Sequence, residues 1–267
     1  MTSVDNVKCP MTNDKLTLKY QIIIIIFIHL TFVICNLSFA FSFAVFGDNR
    51  ENLKIFSEVL DKLNHDPEIS FAVNTGDMVL HGKEAEYKRY IQLTKKCKVK
   101  IYPVMGNHDA VAGGHKLFAK YFGPNYYSFD HENAHFIVLD NSFRGTFDKK
   151  QYDFLITDLK ASQGRPIFVF FHKPVFDPSE IYPNYIMSER QTAQNLIGVF
   201  SKYRVRYVFS GHIHGYARAE RDGVVYIVTA GAGAPLYLPR WMGGFNHFVK
   251  VAVEGDKITD QVVKLYD

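Results

Sequence analysis

The chain has 267 residues, 47% apolar and 22% charged, a balance that fits a globular protein and excludes a disordered or low-complexity chain. Its formal net charge is only +4 and forms no broad basic face. The one lysine cluster, Lys95, Lys96, Lys98 and Lys100, reads as a solvated helix end, so no nucleic-acid partner is expected.

Residues 1–40 stand apart from the rest. A weakly basic start with Lys8, Lys15 and Lys19 leads into an apolar run from Ile22 to Cys35 and ends in Ser38-Phe39-Ala40, the pattern of an export signal cleaved after Ala40. The run has 14 residues including His29, short of the roughly 20 that a membrane span needs. If it stays uncleaved, Asn36 to Phe46 prolongs the apolar tract and the leader serves as a membrane anchor. The expected organisation is a signal peptide over 1–40 and one domain over 41–267, secreted or periplasmic, with no membrane span after cleavage. Removing three Lys and two acids leaves 28 basic and 25 acidic side chains, and removing Cys9 and Cys35 leaves Cys97 with no disulfide partner.

From Phe41 onward, strand-like and helix-like stretches alternate, which argues for a layered α/β architecture. Phe41–Phe46 reads as a buried strand ending at Gly47-Asp48-Asn49-Arg50, and Leu53, Phe56, Val59, Leu60 and Leu63 then recur at helical spacing. A second strand over Ile69–Val73 runs into Asn74-Thr75-Gly76-Asp77 and precedes a helix from Glu84 to Lys95. A third, Val99–Met105, stops at Gly106-Asn107-His108-Asp109. Then follow a hairpin (Tyr126–Phe129 with His135–Leu139), a helix over Asp148–Leu159, and a strand over Pro166–Phe171 that stops at His172. Residues 173–189 hold three Pro and little periodicity, the mark of a long loop that shapes a pocket. A helix over Glu189–Tyr203 leads to Val205–Phe209, which runs into Ser210-Gly211-His212-Ile213-His214, and the remainder reads as β structure with loops around Ala230–Ala234 and Leu236–Asn246.

Five strand ends thus carry Asp48, Asp77, Asn107 with His108, His172, and His212 with His214. The carboxyl edge of a sheet is where α/β proteins place their ligands, and these side chains offer metals carboxylate, amide and imidazole atoms. In this order the five segments resemble the motifs of the calcineurin-like metallophosphoesterases: Asp-x-His, Gly-Asp, Gly-Asn-His-(Asp/Glu), His and Gly-His-x-His. The resemblance covers about residues 41–253. It implies a four-layer α-β-β-α sandwich with a two-metal site at the strand C-terminal ends. It further implies a phosphoric ester hydrolase acting on small-molecule phosphate mono- or diesters by attack of a metal-bound hydroxide. By the same resemblance Asp77 bridges two ions, Asn107, His172 and His212 complete one site, and Asp48 and His214 serve the other. His108 acts on the phosphate, with Asp109 holding its ring. The mixed donor set suits Mn, Fe, Co, Ni or Zn better than Ca. Phe122-Gly123-Pro124-Asn125-Tyr126-Tyr127-Ser128 and His172-Lys173-Pro174 resemble the branch shared by purple acid phosphatases and class III cyclic nucleotide phosphodiesterases.

One position departs from this pattern. The first motif carries Arg50 where the family has a His, and Leu80 stands where purple acid phosphatases supply a Tyr. A guanidinium cannot ligate a cation. Two roles are open to Arg50: forking onto a substrate phosphate, or pointing outward in a salt bridge. Asn49 or a water is the substitute available for the missing ligand. The competing functional class is a catalytically degenerate scaffold that keeps the fold and has lost the chemistry. Among the remaining candidates, His81 is close enough in sequence to line the cleft, His135 is expected to be structural, and Phe176, Tyr182, Tyr185 and Trp241 offer rings for an aromatic leaving group or base.

Overall fold

The computed structural model describes Tyr20, Ile23, Ile24 and residues 40–266. The signal peptide expected over 1–40, with its cleavage site and the fates of Cys9, His29 and Cys35, lies outside the described residues apart from those named. No helix among the described residues is long and apolar enough to cross a membrane.

Two sheets lie at the centre of the fold. The first has five strands, β1 (Ala40–Phe46), β2 (Ile69–Asn74), β3 (Lys100–Pro103), β10 (His247–Glu254) and β11 (Lys257–Lys264), in the order β11-β10-β1-β2-β3. The second has six: β4 (Tyr127–His131), β5 (Ala134–Val138), β6 (Ile167–Phe170), β7 (Tyr207–Ser210), β8 (Tyr216–Arg221) and β9 (Val224–Thr229), in the order β4-β5-β6-β7-β9-β8. β1, β2 and β3 run parallel, as do β5, β6, β7 and β9, while hairpins form both edges of the second sheet and the β10–β11 edge of the first. Parallel strands need coverage on both faces. Period-two alternation along β1 supplies it, with Phe41, Phe43 and Val45 facing the other sheet and Ala44 and Phe46 facing helices.

Among the described residues, three large apolar cores result, with a smaller cluster around Ile213 and Leu238. On the outer face of the first sheet, α1 (Leu53–His65) buries Phe56, Val59, Leu60 and Leu63. It is joined there by Tyr87 and Tyr90 of α2 (Glu84–Thr94) and Phe118 of α4 (Gly114–Phe122), a helix that follows the single turn α3 (Asn107–Ala110). On the outer face of the second sheet, Leu155 and Leu159 of α5 (Lys149–Ala161) meet Leu196, Ile197 and Phe200 of α6 (Arg190–Lys202). Between the sheets, Phe43 stacks on Phe71 at 5.3 Å and meets Phe136 and Phe168 edge-on at 5.3 and 5.1 Å. Truncating such a ring in a closed core costs about 3–5 kcal/mol. This is the four-layer α-β-β-α sandwich that the motifs implied. Element boundaries shift by a few residues from the sequence reading. The largest shifts are at β3 and β7, which begin later because Val99 and Val205 enter from loops.

His135 is structural, as expected. It is buried on β5 with Nδ1 2.6 Å from Asp130 Oδ1 and Nε2 2.9 Å from Asp158 Oδ2. Burial opposes charging of the ring, but the two carboxylates outweigh it, so its pKa is raised above the ordinary 6.5. A raised folded-state pKa gives stability that is fully present below the unfolded value and lost as pH rises through the folded one. Replacing His135 by Gln is therefore expected to lower the melting temperature of the full chain more at pH 5.5 than at pH 9. Equal losses at both would rule out a charged imidazole.

Candidate active site

The carboxyl ends of β1, β2, β6 and β7 and the loop after β3 come together on one rim. Backbone bonds continue past the strands and fix the loops there: Asp48 N–H donates to the Gly76 carbonyl (2.9 Å), Val104 to Asn74 (2.8 Å), and Gly211 to His172 across the second sheet (2.9 Å). Asp48, Asp77 and His212 sit at φ of 56°, 55° and 69°, left-handed conformations that cost L-residues energy and persist where surroundings enforce them. Two glycines allow the close approach. A Cβ on Gly106 would stand 2.2 Å from Asp77 Oδ1, and one on Gly211 would stand 2.4 Å from Asp48 Oδ2.

The first cluster is formed by Asp77, Asn107, His172 and His212, as the motifs implied. His172 Nε2 lies 3.0 Å from Asn107 Oδ1, 3.2 Å from His212 Nδ1 and 3.4 Å from Asp77 Oδ1. His172 Nδ1 is 2.9 Å from the Thr75 carbonyl. A carbonyl can only accept, so Nδ1 carries a proton. Burial, then the neighbouring His172, push the His212 pKa down to about 2, so this ring is neutral. Two imidazole nitrogens, a carboxylate and an amide oxygen thus lie together at the strand ends. Donor atoms around an ion with bonds near 2.1 Å lie about 3.0–3.4 Å apart, and the three distances from His172 Nε2 fall in that range.

The second cluster contains Asp48, Asp77 and His214, whose donor atoms all lie within 4.8 Å of one another and could hold a cation. His214 Nδ1 lies 2.5 Å from the Pro235 carbonyl and so carries a proton, leaving Nε2 to face inward. Asp48 Oδ2 accepts from the His212 N–H (3.0 Å). Its Oδ1 is buried and lies 3.2 Å from His214 Nε2. Burial raises the Asp48 pKa, and His214 reverses this and lowers it to about 2. Arg50 enters the same cluster. It is only 7% exposed, its Nε donates to Asp77 Oδ2 (3.3 Å), its Nη2 is 3.4 Å from His214 Nε2, and its Nη1 pairs with Glu51. The outward-pointing Arg50 is thereby excluded. Asn49 does not replace the missing ligand, since its amide is bound to Asn74 (2.7 Å) and the Met78 carbonyl (3.3 Å).

His108 is on the cleft wall, one-third exposed, with Nε2 3.9 Å from Asp77 Oδ2. The expected contact between Asp109 and its ring is absent. The His108 ring is held instead by the Leu80 carbonyl, 2.7 Å from Nδ1. Asp109 turns the other way and accepts from the backbone N–H groups of Gly106 (2.8 Å), Asp77 (2.8 Å) and Val79 (3.0 Å). Burial, then the Asp77 carboxylate, push its pKa well above the usual range, against those three donors. Asp109 is therefore a loop anchor rather than a partner of the His108 ring.

The rim is aromatic. Tyr237 stacks on His214 at 3.9 Å, and Tyr185 lies 6.0 Å from His212 and 5.9 Å from Tyr237. Tyr237 was not singled out from the sequence, and neither its irregular loop nor its composition marked it. Lys173, half-buried beside His172, belongs to the His172-Lys173-Pro174 stretch singled out from the sequence without a role of its own, and burial pushes its pKa down. Three other candidates lie elsewhere. Phe176 packs on Tyr226 at 4.8 Å, Trp241 is 82% exposed, and His81 caps α2 through Glu86.

A family model described as calcineurin-like phosphoesterase matches residues 41–216. A 3',5'-cyclic-nucleotide phosphodiesterase of Nostoc sp. is 26% identical over 166 residues, 60% of this chain and 62% of that protein, so the match spans less than two thirds of the relative's length. A serine/threonine-protein phosphatase of Rattus norvegicus is 29% identical over 220 residues, 73% of this chain and 67% of that one. In fold, a purple acid phosphatase from Lupinus luteus superposes with a TM-score of 0.71 at 16% identity, covering 87% of this chain and 52% of that chain. With its two-sheet sandwich and its rim of carboxylates, imidazoles and one Asn, the chain belongs to the calcineurin-like phosphoesterase family.

Proposed function

We propose that the chain hydrolyses phosphate mono- or diesters in this cleft, with a metal ion held by Asp77, Asn107, His172 and His212. One observation carries the reading: Asn107 Oδ1, His212 Nδ1 and Asp77 Oδ1 lie 3.0–3.4 Å from His172 Nε2, which gathers four metal-capable side chains at the strand ends. Asp48, Asp77 and His214 are the residues available to a second ion. When bound, an ion of the Mn, Fe, Co, Ni or Zn class supplies Lewis acidity toward a phosphoryl oxygen and eases ionisation of water near neutral pH. The chain's own groups do the rest. The Leu80 carbonyl fixes the proton on His108 Nδ1, so Nε2 is the atom that exchanges a proton with the leaving oxygen. Lys173 and Arg50 add positive charge for the phosphate. Tyr185 and Tyr237 provide a wall for a planar leaving group.

We further propose that the chain is exported, with residues 1–40 as its signal, as the basic start, apolar run and small-residue end suggest. N-terminal sequencing of the protein from its native host is expected to begin at Phe41, and an intact leader would instead make it an anchor. The scaffold reading is favoured by one observation only, Arg50 among the ligands. Silence on p-nitrophenyl phosphate and its bis-ester with added Mn, and no bound ion, would select it.

His108 and Asp109 divide their work differently from what the sequence implied, and two variants separate them. His108→Ala is expected to lower kcat by about 10²–10⁴-fold while leaving ion content unchanged, whereas Asn107→Ala loses the ion. An equal loss of ion in both would reassign His108 as a ligand. Asp109→Ala strands three buried N–H groups and is expected to cost about 3 kcal/mol or more in urea unfolding. A fall in kcat with stability intact would restore Asp109 to the chemistry.

A further inference from the structure

We infer that the Arg50 guanidinium takes the place of the second metal ion, so that this chain holds one ion per molecule. The inference rests on the reading that Asp77, Asn107, His172 and His212 hold that ion. Three observations lead to it. Arg50 stands where the resemblance implies a ligand, yet its side chain does not leave the site: it is buried beside Asp77 and His214. Its donors engage Asp77 Oδ2 at 3.3 Å and His214 Nε2 at 3.4 Å, two of the three side chains on which an ion in this cluster would depend. The His214 lone pair is not replaceable from the other ring nitrogen, because Nδ1 is committed to the Pro235 carbonyl.

Charge points the same way. Asp48 and Asp77 are the carboxylates of the two clusters. With the Glu51 carboxylate that pairs with Arg50, one divalent ion and the guanidinium are balanced. A second divalent ion would leave an excess of two positive charges, and a guanidinium cannot deprotonate to relieve it. Glu51, at φ 75°, pairs with Nη1 from the solvent side and sets the direction of the side chain. In this arrangement Arg50 supplies the electrostatic half of an ion's work, hydrogen bonds and charge for phosphoryl oxygens. It cannot supply the other half, ligation of water.

Counting bound ions tests this without reference to turnover. The full chain, Arg50→His and Arg50→Ala are dialysed to equilibrium against Mn(II), analysed for metal by mass spectrometry, and examined by electron paramagnetic resonance. The expected result is one isolated Mn per wild-type chain, and two exchange-coupled Mn in Arg50→His, which restores the family's ligand. Two ions in the wild type would overturn the inference and leave the phosphoesterase reading standing. The guanidinium would then have withdrawn, and a cavity of about 180 Å³ lined by Arg50, Glu51, Glu86 and Arg89 is the space beside it. One ion in all three proteins would also overturn it, since Arg50 would not be what limits the count. No ion in the wild type overturns this inference together with the metal reading beneath it.

Discussion

Asp77 ties the two halves of the site together, one carboxylate oxygen to each. Its Oδ1 accepts from the His108 N–H (2.9 Å) and lies 3.4 Å from His172 Nε2, while Oδ2 accepts from Arg50 Nε (3.3 Å). Such a carboxylate, fully buried, is expensive unless its charge is met. Its position is not optional either: its backbone sits at φ 55°, its N–H is held by Asp109, and Gly106 packs against it too closely for any side chain. The fold therefore spends backbone strain and two desolvated acids to put one negative group between two cation positions. That arrangement has a physical rationale only if positive charge arrives from a ligand, a substrate or Arg50.

Most of this was legible in the sequence because the signals were redundant. Each of the five strands was a short apolar run, four of them running into a Gly and the other into His172, and each delivered a polar residue at the same end. Parallel strands then require those ends to share an edge. The misreading at Asp109 has a definite cause. Adjacency in sequence suggested that the acid and His108 face each other, but Asn107–Ala110 is a helical turn, and neighbours i and i+1 on a helix diverge. An acid three residues after a turn-initiating Gly caps the turn instead, which is what the Gly106 bond shows. His81 followed the same logic with Glu86 at the start of α2.

What the sequence left open was direction. Arg50 had an inward and an outward role, and composition cannot choose between them because a long cationic side chain serves in either. Burial and the partners Asp77 and His214 decide it. Tyr237 is the converse case. It lies in an aperiodic loop, where ring position depends on tertiary path, and only the fold brings it onto His214.

The inter-sheet core and the site are one construction. Phe43, Phe71, Phe136 and Phe168 set the separation of the sheets. That separation then decides whether loops from different sheets can exchange hydrogen bonds at the rim. Asp48, after β1 of the first sheet, accepts from His212 after β7 of the second, and His172 after β6 reaches the Thr75 carbonyl after β2. Gly211 is the tolerance in this fit, because a single methyl there would collide with the Asp48 carboxylate. Interiors are close-packed and yield little to strain. A core change that moves one sheet by a fraction of an ångström is therefore passed to the side chains at the rim and to their spacing.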